Sequence, residues 1–387
     1  MTLDPDSPPA LLFASFWMAG FESACQINSN GERIDMIAGI GHDTQAFDDY
    51  TMLSQMNIRT ARDGIRWHLV DRGSGQYDFG SFLPQLDAAL KTRTQVIWNL
   101  CHYGWPDDVD LFSAEFVDRF SKYAKAVAQV VRERSDEVPF YTPVNEISFF
   151  SWAAARRIIY PFADGKDNEI KHQLVRASLA ATEAIWEVDP RARIVYPEPV
   201  VNVVTPRNNL AAACAAAEQT ESQYEAWDMI AGRMRPDLGG AAHFLDIVGV
   251  NFYHSNQWEY GNGRLRWEEE PRDERWLPFH RMLARVWDRY GRPLFVSETS
   301  HFGSGRSRWI REIGQEVFQA RRNGIPVEGV CLYPVLDRYD WEDRTHWHNS
   351  GLWDLEPVNG TFKRVLNAEY SAALRESQLL LSTVGCR

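Results

Sequence analysis

A chain of 387 residues with 44% hydrophobic and 13% aromatic side chains has ample material for one large α/β barrel or two ordinary domains. Its 41 Lys and Arg stand against 53 Asp and Glu, a net charge of −12 that does not attract a phosphate backbone and excludes nucleic acid as the expected partner.

In chain order, short apolar or β-branched runs recur at 11–21, 57–67, 94–103, 138–147, 191–200, 245–254, 293–300 and 327–337, eight candidate strands. Helical texture lies between them at 114–134, 169–188, 277–290 and 307–323. In the third of these, Leu277, His280, Leu283, Ala284, Trp287 and Tyr290 are expected to share a face. The run AAACAAAEQ (211–219) reads as a small-residue helix. No low-complexity tract, Gly/Ser linker or short repeat divides the chain. Strands alternating with helices imply a parallel sheet, and eight such units close a (β/α)8 TIM barrel; residues 1–387 are expected to form one such domain. The chain exceeds the usual ~250 residues of that fold, so some βα loops are large, with 163–169 and 261–274 as candidates.

Cys25, Cys101, Cys214, Cys331 and Cys386 are scattered without paired spacing, and read as free thiols in a reducing compartment. The start, MTLDPDSPPALLFASFWMAG, lacks a basic leader region, and no apolar run is long enough to span a bilayer. A cytoplasmic location with no membrane partner is therefore expected.

A barrel places function at the C-terminal ends of its strands. Glu146 ends the fourth candidate strand and Glu298 the seventh, while Gln26, Arg62, His102, Glu198, Asn251, Tyr253 and Asp337 lie at or near other ends. Two carboxylates flanking a glycosidic bond divide the work. One protonates the leaving oxygen while the other attacks the anomeric carbon or activates water. Asn145, beside Glu146, is suited to hydrogen-bond a sugar 2-hydroxyl.

Seven motifs, in order and at successive strand ends, carry a resemblance. They are SACQIN (23–28), RDGIRW (62–67), CHYGWP (101–106), VNEI (144–147), GVNFYHS (249–255), FVSETS (295–300) and GVCLYPVLDRYDW (329–341). Together they resemble glycoside hydrolase family 1, the retaining β-glucosidases and β-galactosidases of the clan-A barrels, over nearly the whole chain. The resemblance implies Glu298 as nucleophile and Glu146 as acid/base, with Arg62 and Tyr253 supporting Glu298. It further implies that Gln26, His102, Asn145, Tyr333, Asp340 and Trp341 bind the substrate, a small β-glycoside, and that no cofactor is needed. The two carboxyls are then expected at the retaining separation of roughly 5–5.5 Å.

The chain departs from the family's pattern at Ile147 (for Pro), Thr299-Ser300 (for Asn-Gly), Tyr333 (for Trp) and Asp340 (for Glu). These positions bear on substrate identity and subsite shape. After Trp341 come Glu342 and Asp343, which repel a phosphate, so an unphosphorylated sugar is expected. A transglycosidase on the same scaffold and a non-catalytic sugar-binding barrel are the alternatives.

Glu22 and Glu198 read either as substrate contacts or as loop ion pairs, and Arg62 taken alone reads as a partner of Asp63. His346 and His348 are two apart, but no Cys, Asp or Glu at a recognisable spacing completes a site, so no metal is expected. The stretch 266–275 reads as a solvated loop, with Trp267 or Trp276 as possible borders of an aglycone site. Oligomeric state is not legible.

Overall fold

The computed structural model describes residues 12–383. Cys386 and the first eleven residues, which include the start of the first expected strand, lie outside the described residues. The eight barrel strands are β1 (Trp17–Gly20), β2 (Thr60–Gly64), β3 (Gln95–Cys101) and β4 (Phe140–Val144), then β5 (Arg193–Pro199), β6 (Ile247–Asn251), β7 (Leu294–Thr299) and β8 (Val327–Leu332). All neighbours pair in parallel, and β8 returns to β1 to close the barrel. Each strand falls within one expected run, though β8 stops at Leu332 and the residues to 337 are loop.

The barrel interior is an apolar cluster to which seven strands contribute Met18, Ile97, Phe140, Val195, Ile247, Phe295 and Cys331. Phe13 closes the bottom against Phe140 and Phe295, with ring centroids 5.4 and 4.9 Å apart. On β2 the alternation of side chains sends Arg62 inward and Asp63 outward. Asp63 instead meets His42, Tyr50 and Gln85 among the surrounding helices, which removes it as the partner of Arg62.

Outside, helices bury one stripe each. The helix Ala114–Arg134 buries Phe116, Phe120, Tyr123, Ala124, Val127, Ala128 and Val131, the spacing of a single face. Helix Phe279–Tyr290 corrects the expected face by one position: Phe279, Met282, Leu283, Val286 and Tyr290 are buried, while His280, Ala284 and Trp287 flank them. Phe279 decides the rotation by stacking on Phe252, centroids 4.2 Å apart. The small-residue helix occupies Ala213–Glu221.

After β8 the chain adds the hairpin β9 (Trp353–Val358) and β10 (Thr361–Leu366), then a helix, Ala368–Ser382. Asn359 and Gly360 turn the hairpin at φ 50° and 80°, a conformation suited to an Asn-Gly pair. Asn367 caps the final helix by accepting from the Tyr370 N–H at 3.0 Å.

Candidate active site

The upper ends of β2, β3, β4, β6 and β7 carry polar side chains joined into a closed circuit. Arg62 donates from Nη1 to Glu298 Oε1 at 3.0 Å and to the Ser297 carbonyl at 2.7 Å, and from Nη2 to Asn145 Oδ1 at 2.8 Å. With its oxygen so engaged, Asn145 turns its amide N–H groups to Tyr103 Oη and His102 Nε2, each at 3.2 Å. Tyr103 donates to Glu146 Oε2 at 2.7 Å, and Asn251 donates to Glu146 Oε1 at 2.9 Å. Ser297 Oγ then holds the Asn251 oxygen at 2.5 Å, which returns the circuit to the residue beside Glu298. Tyr253 donates to the second oxygen of Glu298 at 2.8 Å.

The two carboxylates occupy different electrostatic environments. Burial, then the negative charge of Glu298, pushes the Glu146 carboxyl up to about 8 against the donors Asn251 and Tyr103. Glu298 has the buried guanidinium of Arg62 against it. Burial opposes the charge of Arg62, but Glu298, together with Cys331 and Tyr333, outweighs it and the arginine is held more firmly protonated than usual. Burial, followed by the charges of Arg62 and Arg338, drives His102 well below its ordinary range. The imidazole is therefore neutral. Nε2 faces the Asn145 amide, and Nδ1 faces Ser23 Oγ at 2.9 Å with Asn99 Nδ2 and Tyr333 Oη each at 3.2 Å.

Backbone geometry marks the same place. Glu146 has φ 45° and Tyr103 φ 65°, left-handed values uncommon for residues with a Cβ. Glu146 N–H is anchored on the Pro197 carbonyl at 3.1 Å, so β5 holds the turn that aims its side chain.

Of the other residues singled out from sequence, Tyr333 is buried just beyond the end of β8 with the Arg62 guanidinium 5.4 Å over its ring. Gln26 is fully buried and neither atom of its amide has a partner; the indole N–H of Trp341 is likewise buried and unpartnered. Trp341 meets Tyr103 edge-on at 5.9 Å. Asp340 turns away from the circuit: it accepts from the Glu342 and Asp343 N–H groups of its own loop and meets His348 Nε2 at 3.1 Å. Being a short side chain, it closes a local turn more readily than it reaches across the barrel.

Trp267, a candidate border of an aglycone site, is 1% exposed and packs edge-on against Trp309. Trp276 is half-buried under Arg272. Glu198 accepts from the Ser148 N–H at 3.0 Å, at the start of helix Ile147–Ala154. Asp337, buried, accepts from the Ser350 N–H.

No protein-family model and no curated protein matches this sequence. Solved structures do match. A β-glucosidase from Thermotoga maritima in complex with deoxynojirimycin superposes with TM-score 0.75 at 13% identity, covering 98% of this chain and 99% of that one. The Thermotoga maritima β-glucosidase in complex with glucoimidazole gives 0.74 at 14% identity over 98% and 99% of the two chains. A family 1 β-glucosidase from the same organism gives 0.74 at 13% identity over 94% and 97%. The chain has the fold of these barrels.

Sequence reasoning did not assign Tyr103, Asn251 or Ser297 to the site, nor the pair Glu22–Arg338, which meets at 3.2 Å beneath Tyr333. Asn251 and Glu22 were visible as polar residues at strand ends. Tyr103 gave a weaker signal, because an aromatic beside His102 reads as packing until the partner of its hydroxyl is known. Arg338 and Glu22 lie at opposite ends of the sequence, and only closure of β8 onto β1 brings them together.

Proposed function

We propose that the chain is a divergent member of glycoside hydrolase family 1, a retaining exo-β-glycosidase that hydrolyses small, unphosphorylated β-glycosides by double displacement. The observation that carries the reading is the unequal treatment of two buried carboxyls within one hydrogen-bond circuit: Glu146 is pushed up to about 8, whereas Glu298 is clamped between Arg62 and Tyr253. At neutral pH Glu146 then holds a proton for the leaving oxygen, while Glu298 attacks the anomeric carbon and forms a glycosyl ester. In the second step Glu146, now a base, takes a proton from water, which displaces Glu298 from the sugar.

Asn145 lies beside this exchange, and its orientation by Arg62 suits a contact with the 2-hydroxyl. The unpartnered amide of Gln26 and indole N–H of Trp341 are groups that sugar hydroxyls would satisfy. Glu342 and Asp343, both exposed beyond Trp341, disfavour a phosphorylated glycone.

The test is release of nitrophenol from a panel of aryl β-glycosides by the wild type and Glu298→Ala, with the anomer first formed read by NMR. Cleavage with retained configuration, abolished in the variant, is expected. Inverted configuration, or a variant as active as a cleaving wild type, overturns the mechanism. A wild type that binds sugars but cleaves none of the panel is the sugar-binding barrel instead.

A further inference from the structure

The sequence drew attention to His346 and His348 as a metal pair, and the structure gathers a different set. His348 is turned to Asp340, whereas one donor atom each from His254, Glu268 and His301 lies within 4.8 Å of the other two. His254 follows Tyr253 just beyond β6, His301 follows β7, and Glu268 comes from the long loop between β6 and helix Phe279–Tyr290. Three separate segments thus converge on one point, beside the circuit but outside it.

The two imidazoles are 6% and 7% exposed, with ring centroids 4.2 Å apart. Trp267 and Trp309 wall His301, and Phe302 stands edge-on to His254. Nδ1 of His254 is buried with no hydrogen-bond partner, a costly omission for a ring nitrogen. His301 Nε2 faces Glu268 Oε1 at 3.3 Å. Its Nδ1 accepts from the Phe302 N–H at 2.7 Å and lies 3.1 Å from the Phe302 carbonyl, so without a cation the ring carries its proton on Nε2, toward Glu268. A cation taking Nε2 moves that proton to Nδ1, which after a small turn of the ring donates to the Phe302 carbonyl, the outer-sphere arrangement that orients metal-bound histidines.

We propose that His254, Glu268 and His301 form a binding site for a divalent cation of the zinc type. Two imidazole nitrogens and one carboxylate suit zinc, cobalt or nickel better than magnesium or calcium, which favour all-oxygen sets. Three protein ligands leave a fourth position for water. Tetrahedral bonds of ~2.0–2.1 Å place donors roughly 3.4 Å apart, so the set must contract. Glu268 is the ligand that moves. It lies on an exposed loop, and its pair with Arg264 is a surface ion pair of little strength. The bound cation clips this loop to the strand ends that carry Tyr253 and Glu298. Its role is to position them, no step of the glycosidase reaction passes through it, and it stands independently of that reading.

The experiment uses the full chain stripped with chelator, titrated with Zn2+ by calorimetry and with Co2+ by visible absorption. One equivalent of Zn2+, the absorption of tetrahedral cobalt, and no response to Mg2+ are expected. His254→Ala and His301→Ala should each weaken Zn2+ binding by at least about a hundredfold and Glu268→Gln by at least about tenfold. Glu268→Gln alters an exposed side chain, so it decides the matter if a histidine variant fails to fold. His346→Ala should leave binding unchanged. Absence of a one-equivalent site, binding unaltered in Glu268→Gln, or binding lost in His346→Ala overturns the proposal.

Discussion

The phenol of Tyr103 donates to Glu146 at 2.7 Å while its oxygen accepts from Asn145 at 3.2 Å. One hydroxyl thus links the candidate acid to the amide beside it, which is itself held by Arg62. A donor to a carboxylate favours the ionised form, so Tyr103 restrains the rise that burial imposes on Glu146.

Tyr103→Phe removes that donor and keeps the ring. The Glu146 carboxyl then rises further, and the alkaline limb of kcat/KM, set near pH 8 by loss of the acid's proton, moves to higher pH. A pH–rate profile of the variant on an activated aryl glycoside checks this. An unmoved limb would show that Tyr103 acts through packing alone.

Arg62→Lys should lower kcat/KM by about a hundredfold or more, on the scale of losing one preorganised electrostatic partner. A lysine keeps the charge but cannot reach Glu298, the Ser297 carbonyl and Asn145 with one planar fork. Steady-state kinetics beside a thermal melt separates the two possible effects, and near-normal turnover in a folded variant would refute the clamp.

His42 makes stability depend on pH on the far side of β2. Its ring lies between Asp49 at 2.8 Å and Asp63 at 2.9 Å with no exposure, and Arg364 of the hairpin holds Asp49. Burial works against the charge, but Asp63 and Asp49 outweigh it and raise His42 to about 9. A raised pKa contributes stability that is complete below the unfolded value near 6.5 and is lost as pH rises through about 9. Denaturant melts should therefore weaken by on the order of 3 kcal/mol across that window, and His42→Gln should flatten this slope. An unchanged slope in the variant would assign the effect elsewhere.

Gly20 ends β1 where a Cβ would come within 2.1 Å of the Tyr333 ring, itself buried beneath Arg62. Gly20→Ala should cost about 1–3 kcal/mol by overpacking and reduce turnover through displacement of Arg62. The double variant Gly20→Ala, Tyr333→Leu should cost less than the sum of its parts. Strict additivity, measured by denaturant melts, would show that the two positions are not coupled.

The sequence by itself determined the barrel and singled out Glu146 and Glu298 as candidates, because both are written in short-range signals. Strand runs such as 293–300 are local patterns of apolar residues, and the break in such a run at Glu146 or Glu298 is visible without knowing any partner. The Asn359-Gly360 turn of the hairpin is equally local. Other features were decided by tertiary structure, since each depends on which residues distant in sequence become neighbours in the closed barrel. Whether Arg62 served Asp63 or Glu298 rested on the direction of one side chain. The face of helix Phe279–Tyr290 was set by Phe252, a residue of another segment. Glu22 met Arg338, and His254 met Glu268 and His301, across distances in sequence over which periodicity carries no information.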